Sequence, residues 1–204
     1  PHHQAGGVTL LLDEAGVPEP LFAYSSARKL RSAYAGSAIE VRESGGDTLS
    51  DIGFSSDELD TAAMETHCGA NDGFIRTWYD QTTNGNDETV TTDSVQAQIV
   101  SAGSTLTGSN SKPRADLDGS DDEIQAPFAS TAAPITIMLV ASYDSISTKV
   151  IHDSTPDFGL LMTFLGSSTL RFRPGGTSQN SSWTATADTY VLTNTVWDSS
   201  GGGG

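Results

Sequence analysis

Clusters of turn-forming residues cut this chain into short pieces, and that limits what it can fold into. Asn84-Gly85-Asn86, Gly103-Ser104, Asp118-Gly119-Ser120, Gly166-Ser167-Ser168 and Pro174-Gly175-Gly176 interrupt it at close intervals. Between them lie runs rich in β-branched and aromatic residues, each about the length of one strand. Expected strands are Ala38–Val41, Phe74–Tyr79, Gln98–Ser101, Arg114–Leu117, Glu123–Ala126, Ile135–Tyr143, Lys149–His152, Leu160–Leu165, Thr169–Arg173 and Tyr190–Trp197. The run Ile135–Val140 is apolar on both faces at its end, which places it in the middle of a sheet. Many short strands with turns between them read as an all-β sandwich. Two short helices are expected before the strands begin in earnest. The first covers Ala27–Tyr34, opened by Ser25 or Ser26 and closed by Gly36; the second covers Thr61–Cys68, between Asp60 as N-cap and Gly69.

With 204 residues the chain can bury roughly 70% of its unfolded surface without covalent staples. It holds one cysteine, Cys68, so an internal disulfide is impossible. Residues 1–20 read as a linker or N-terminal arm and 21–204 as the folded domain. The formal charge of −16 repels nucleic-acid phosphates and anionic membrane surfaces, so neither is an expected partner. No apolar run reaches the ~18 residues that span a bilayer. The chain starts Pro-His-His-Gln and finishes in four glycines, and both ends are expected to be cuts through a longer polypeptide.

One string stands out: Trp78-Tyr79-Asp80-Gln81 followed by Asn84-Gly85-Asn86. Before it come Tyr24-Ser25, Arg28 to Tyr34, Asp51-Ile52-Gly53-Phe54 and Leu59 to Ala63; after it come Lys112-Pro113 and Leu117 to Asp122. In this order they resemble the concanavalin-like (jelly-roll) β-sandwich of the arabinofuranosidase B catalytic domain, a fold also found in phage virion and bacterial surface proteins. The resemblance implies a cysteine partner for Cys68 at the place where Gly73 stands. It also implies a catalytic glutamate in a segment corresponding to Asp157–Gly166, where none occurs; the last glutamate is Glu123. Further strands are expected after Trp197.

Glycoside hydrolysis needs two carboxyl groups about 5–9 Å apart. Beyond Glu123 the acids are Asp144, Asp153, Asp157, Asp188 and Asp198, of which Asp153 and Asp157 could share a loop mouth. The expectation is therefore a non-enzymatic module of a virion or cell-surface assembly, with no catalytic residue, oligomeric, partnered by other subunits and by host glycans. The alternative is a glycosidase acting on arabinose-containing glycans. Arg171, Arg173, Trp183 and Tyr190 are the candidate glycan contacts: aromatic rings stack on sugars and guanidinium groups bind their hydroxyls. Trp78, Tyr79, Asp80, Gln81, Asn84, Gly85 and Asn86 are read as architecture. No cofactor is expected. The acidic run Asp116–Glu123 reads as a hairpin turn, with Ca²⁺ as its alternative, since it lacks EF-hand spacing. His67 and Cys68, adjacent on a helix, point about 100° apart and cannot act together.

Overall fold

The computed structural model describes residues 9–16, 18–122, 135–142, 149–152, 161–165, 169–173, 179–184 and 189–197. The chain divides into two compact units, Pro1–Phe128 and Ala129–Gly204. Among the described residues the architecture is antiparallel strand with one α-helix.

The first unit is built on a six-stranded antiparallel sheet. Its strands are β1 (Ile39–Glu43), β2 (Leu49–Ile52), β5 (Gly73–Trp78), β6 (Glu88–Thr89), β7 (Gln98–Ser101) and β8 (Ser104–Thr105). The order is β2-β1-β5-β7-β8, and β6 also pairs with β5. A small hairpin, β3 (Phe54–Ser55) with β4 (Glu58–Leu59), leads into helix α1 (Thr61–Cys68). Alternation along β1 and β5 sends Ile39, Val41 and Ile75 inward, where they are at most 1% exposed, onto Ile52, Met64, Cys68, Ile99 and Val100. Register irregularities lie between Glu40 and Val41 and between Gly73 and Phe74.

Helix α1 forms as its ends dictate. The Asp60 carboxylate accepts from the Ala63 amide at 3.0 Å, and Gly69, at φ 60°, closes the last turn with its amide on the Glu65 carbonyl at 2.9 Å. Two turns are too few to be stable alone. Met64 and Cys68, one turn apart, bury the helix against the sheet, and Glu65 receives the Thr105 amide at 2.9 Å. The β7–β8 hairpin turns on Ala102 and Gly103, both at positive φ (47° and 79°). A Cβ on Gly103 would fall 2.1 Å from the Gly69 carbonyl oxygen, so only glycine fits there.

The helix expected over Ala27–Tyr34 does not form. Its amides go elsewhere: Lys29 to the Asp57 carbonyl at 2.7 Å, Leu30 to the Gln81 side chain at 2.6 Å, and Ala27 and Arg28 to Ser25 Oγ. The Ala27 carbonyl accepts from Leu59. Long-range partners outcompete local propensity, which is a weak prior over so short a run. The expected strand Arg114–Leu117 reduces to one isolated bridge, Gln98 with Asp116, beside a second just before it, Thr107 with Pro113. Glu123–Ala126 lies outside the described residues.

The second unit contains a four-stranded antiparallel sheet in the order β10 (Lys149–His152), β11 (Leu161–Leu165), β12 (Thr169–Arg173), β13 (Gln179–Thr184). A two-stranded sheet pairs β9 (Ile135–Ala141) with β14 (Val191–Trp197) in continuous register. Among the described residues β9 therefore has one partner strand and is not central, and Met138 (67%), Val140 (63%) and Leu192 (68%) share an exposed apolar face. Its double-sided hydrophobicity is why its position could not be read from pattern alone.

Candidate functional site

The distinctive string lies at the end of β5, and its Asp80, Gln81, Asn84 and Asn86 side chains turn toward the arm formed by residues 19–34. Trp78 is a core residue at 8% exposure. Asp80, 3% exposed, accepts four hydrogen bonds. Its Oδ1 takes the amides of Ala23 (2.9 Å) and Thr82 (3.0 Å); its Oδ2 takes the Thr82 hydroxyl (2.6 Å) and the Asn86 amide (3.0 Å). Gln81, fully buried, receives the Leu30 amide on Oε1 and donates its own backbone N–H to the Ala23 carbonyl at 2.9 Å. Asn84 and Asn86 donate their side-chain amides to the Leu21 carbonyl at 3.1 and 2.8 Å. Gly85, at φ 68°, lets the loop reverse between them. The string thus fastens a segment more than fifty residues earlier in the chain, through buried groups whose loss would leave amides without partners.

Glu88, next along, was not singled out in the sequence. It is 4% exposed, and its Oε2 is buried with no hydrogen-bond partner. Burial pushes its carboxyl up to about 7, an effect partly offset by the nearby Tyr24 hydroxyl. That hydroxyl donates to the Asn86 carbonyl and stacks its ring on Phe22 at 5.2 Å. Burial, with Glu88 and Asp80 nearby, raises the Tyr24 phenol far above its usual range. Glu88 has the proton affinity of a general acid, but its burial denies it a substrate. Its signal was invisible in one dimension, because burial comes from strand pairing with Trp78.

The other side of the sheet carries a polar row. Glu40 and Asp51 sit directly opposite each other on β1 and β2. Glu40 Oε2 accepts from Arg76 at 3.1 Å and from the Thr77 hydroxyl at 3.0 Å, and the Tyr79 phenol donates to Asp51 at 2.6 Å. Arg42 reaches Gln96 at 2.8 Å and Asp47 at 2.7 Å, with its guanidinium 5.0 Å from the centre of the Phe74 ring. Such a row can hydrogen-bond polyol hydroxyls. It went unnoticed in the sequence because its members come from three strands.

Arg171 and Arg173 lie on β12 and Trp183 on the adjoining β13, so one sheet carries all three. Tyr190 precedes β14 in the other sheet of that unit. In the acidic run, carboxylate oxygens of Asp118, Asp121 and Asp122 lie within 4.8 Å of one another. Local bonds hold this loop, from the Asp118 amide to Asp122 and from the Ser120 amide to Asp118, both 2.7 Å.

Gly73 lies against the chain's one cysteine. A Cβ built on it would lie 2.7 Å from Cys68 Sγ. The two positions therefore face each other in the core.

The sequence model of the family "Alpha-L-arabinofuranosidase B, catalytic" matches residues 12–121, just over half of the chain. No curated protein matches. Among solved structures, a GH54 α-L-arabinofuranosidase soaked with a cyclic sulfate inhibitor is similar at a TM-score of 0.65 and 17% identity, over 86% of this chain and 45% of that one. A Glu→Gln mutant of a GH54 α-L-arabinofuranosidase, soaked with 4-nitrophenyl α-L-arabinofuranoside, gives 0.60 and 16% over the same shares. An arabinofuranosidase complexed with arabinofuranosyl-α-1,2-xylobiose gives 0.54 and 17%, over 85% and 39%. The chain thus spans less than half the length of these structures. The expectation of a non-enzymatic virion or surface module is overturned by these matches: the absent glutamate outweighed the resemblance, when the fold and the family both point to the alternative reading. The chain belongs to the arabinofuranosidase B catalytic-domain family.

Proposed function

We propose that the protein carrying this chain hydrolyses α-L-arabinofuranosides, and that this chain forms part of a concanavalin-like jelly-roll that holds the sugar. The observation that carries the reading is the family match over residues 12–121, joined to a common fold with arabinofuranosidases over 86% of the chain. Two carboxyls must flank the scissile bond, one protonated and one ionised. Asp157 begins, and Asp153 shortly precedes, the segment that by resemblance corresponds to the family's catalytic strand; both lie outside the described residues. We assign the reacting carboxyl of this chain to that pair. Arg171, Arg173 and Trp183 come from the same sheet and are suited to bind sugar hydroxyls and a ring face.

The assignment predicts that Asp153→Asn or Asp157→Asn lowers kcat on an aryl α-L-arabinofuranoside by roughly 10²- to 10⁴-fold with the melting temperature unchanged. Wild-type rates in both variants would place the reacting carboxyl outside this pair.

A further inference from the structure

We propose that Glu88 is a proton-controlled latch: neutral, it stays buried beneath the arm of residues 19–34 with the arm closed; ionised, it draws in water and lets the arm open. The inference does not depend on the hydrolytic reading.

The geometry supplies three supports. First, Glu88 Oε2 is buried with no hydrogen-bond partner, and the donor that faces the carboxyl, the Tyr24 hydroxyl, is already spent on the Asn86 carbonyl, so a charge there is poorly held. Second, the titratable groups around it cannot neutralise that charge. Tyr24 faces it from the arm, and Asp80 and Asp87 lie in the loop between β5 and β6; all three are acids. Tyr24 has one hydroxyl proton and already donates it to the Asn86 carbonyl, so ionised Glu88 and that carbonyl would compete for it. Third, hydrogen bonds tie the arm to the loop that leads into Glu88: Ala23 N–H to Asp80, Gln81 N–H to Ala23 and Leu30 N–H to Gln81. Hydrating Glu88 displaces Tyr24 and shifts this loop, so these amides report the opening directly.

The sign follows from linkage. The carboxyl is raised from 4.5 to about 7 in the closed state, so closure favours the proton. The stabilisation is complete below about pH 4.5 and is lost as the pH rises through about 7.

Amide hydrogen exchange at Ala23 and Leu30, in the full chain and scaled for intrinsic rates, tests this between pH 5.5 and 8.5. Protection should fall on the order of tenfold or more. Glu88→Gln, which cannot ionise, should show pH-independent protection. Unchanged protection in the wild type, or the same pH dependence in the Gln variant, overturns the latch. Should Glu88→Gln fail to fold, the ¹³C titration of the Glu88 carboxyl in the wild type decides. A midpoint coinciding with the loss of protection supports the latch, and a midpoint near the ordinary glutamate value overturns it.

Discussion

Replacing Asp80 with alanine should destabilise the first unit by about 3–5 kcal/mol, the cost of stripping a buried carboxylate from several donors at once. Three backbone amides, of Ala23, Thr82 and Asn86, would lose their acceptor, as would the Thr82 hydroxyl. At 3% exposure there is no solvent path to replace them without opening the loop. Asp80→Asn separates the two oxygens. Its carbonyl can serve the Ala23 and Thr82 amides while its NH₂ faces the Asn86 amide, donor against donor, so it should lose an intermediate amount. Chemical denaturation measures the sum, and amide exchange at Ala23 and Asn86 shows which bonds went. A loss under about 1 kcal/mol for Asp80→Ala would mean that the string does not fasten the arm, since surface changes away from such features cost that little.

The second large effect concerns Gly73. Its φ is not in the left-handed region, so the backbone accepts any side chain; the restriction is space. A Cβ would lie 2.7 Å from Cys68 Sγ and 3.0 and 3.1 Å from Val100 Cβ and Cγ2, all in the core. Gly73→Ala should therefore cost about 1–3 kcal/mol from overpacking, lowering the melting temperature by roughly 2–4 °C per kcal/mol. Gly73→Cys should behave alike while reduced. Oxidised, it converts the clash into a bond: the distance from a Cβ to the partner sulfur across a disulfide is roughly 3 Å. Closing so small a loop contributes about 2 kcal/mol through the unfolded chain, enough to offset the crowding against Val100. The expected result is a variant less stable than wild type under reductant and at least equal to it after oxidation, with both thiols lost to titration. Two thiols surviving oxidation would show that the positions do not face each other.

The sequence was legible where structure is local. Helix α1 could be read from Asp60 and Gly69, and β7, β10 and β12 from apolar runs bounded by turns, because cap and turn chemistry acts within a few residues. Legibility failed where partners are distant. Arm residues Ala27–Tyr34 carry good helix formers, yet their amides are claimed by Asp57, Gln81 and Ser25. Strands β2, β3, β4, β6, β8 and β13 are short or polar and exist through pairing, as with Glu88–Thr89 against Thr77–Trp78. Of the candidate site, the string Trp78–Asn86 was readable because its residues are consecutive. The buried Glu88 and the Glu40–Asp51–Tyr79 row were not, since each needs separate strands to meet. The functional reading went astray for a related reason: one expected residue was sought at one position, and its absence was weighed above an ordered match across a hundred residues.

Hydrolysis of 4-nitrophenyl α-L-arabinofuranoside by the protein that carries this chain tests the central claim most directly. The account predicts saturable release of 4-nitrophenol, absent with the corresponding arabinopyranoside and removed by arabinofuranose-configured inhibitors. No release above the spontaneous rate from folded protein, over a range of pH, would contradict it.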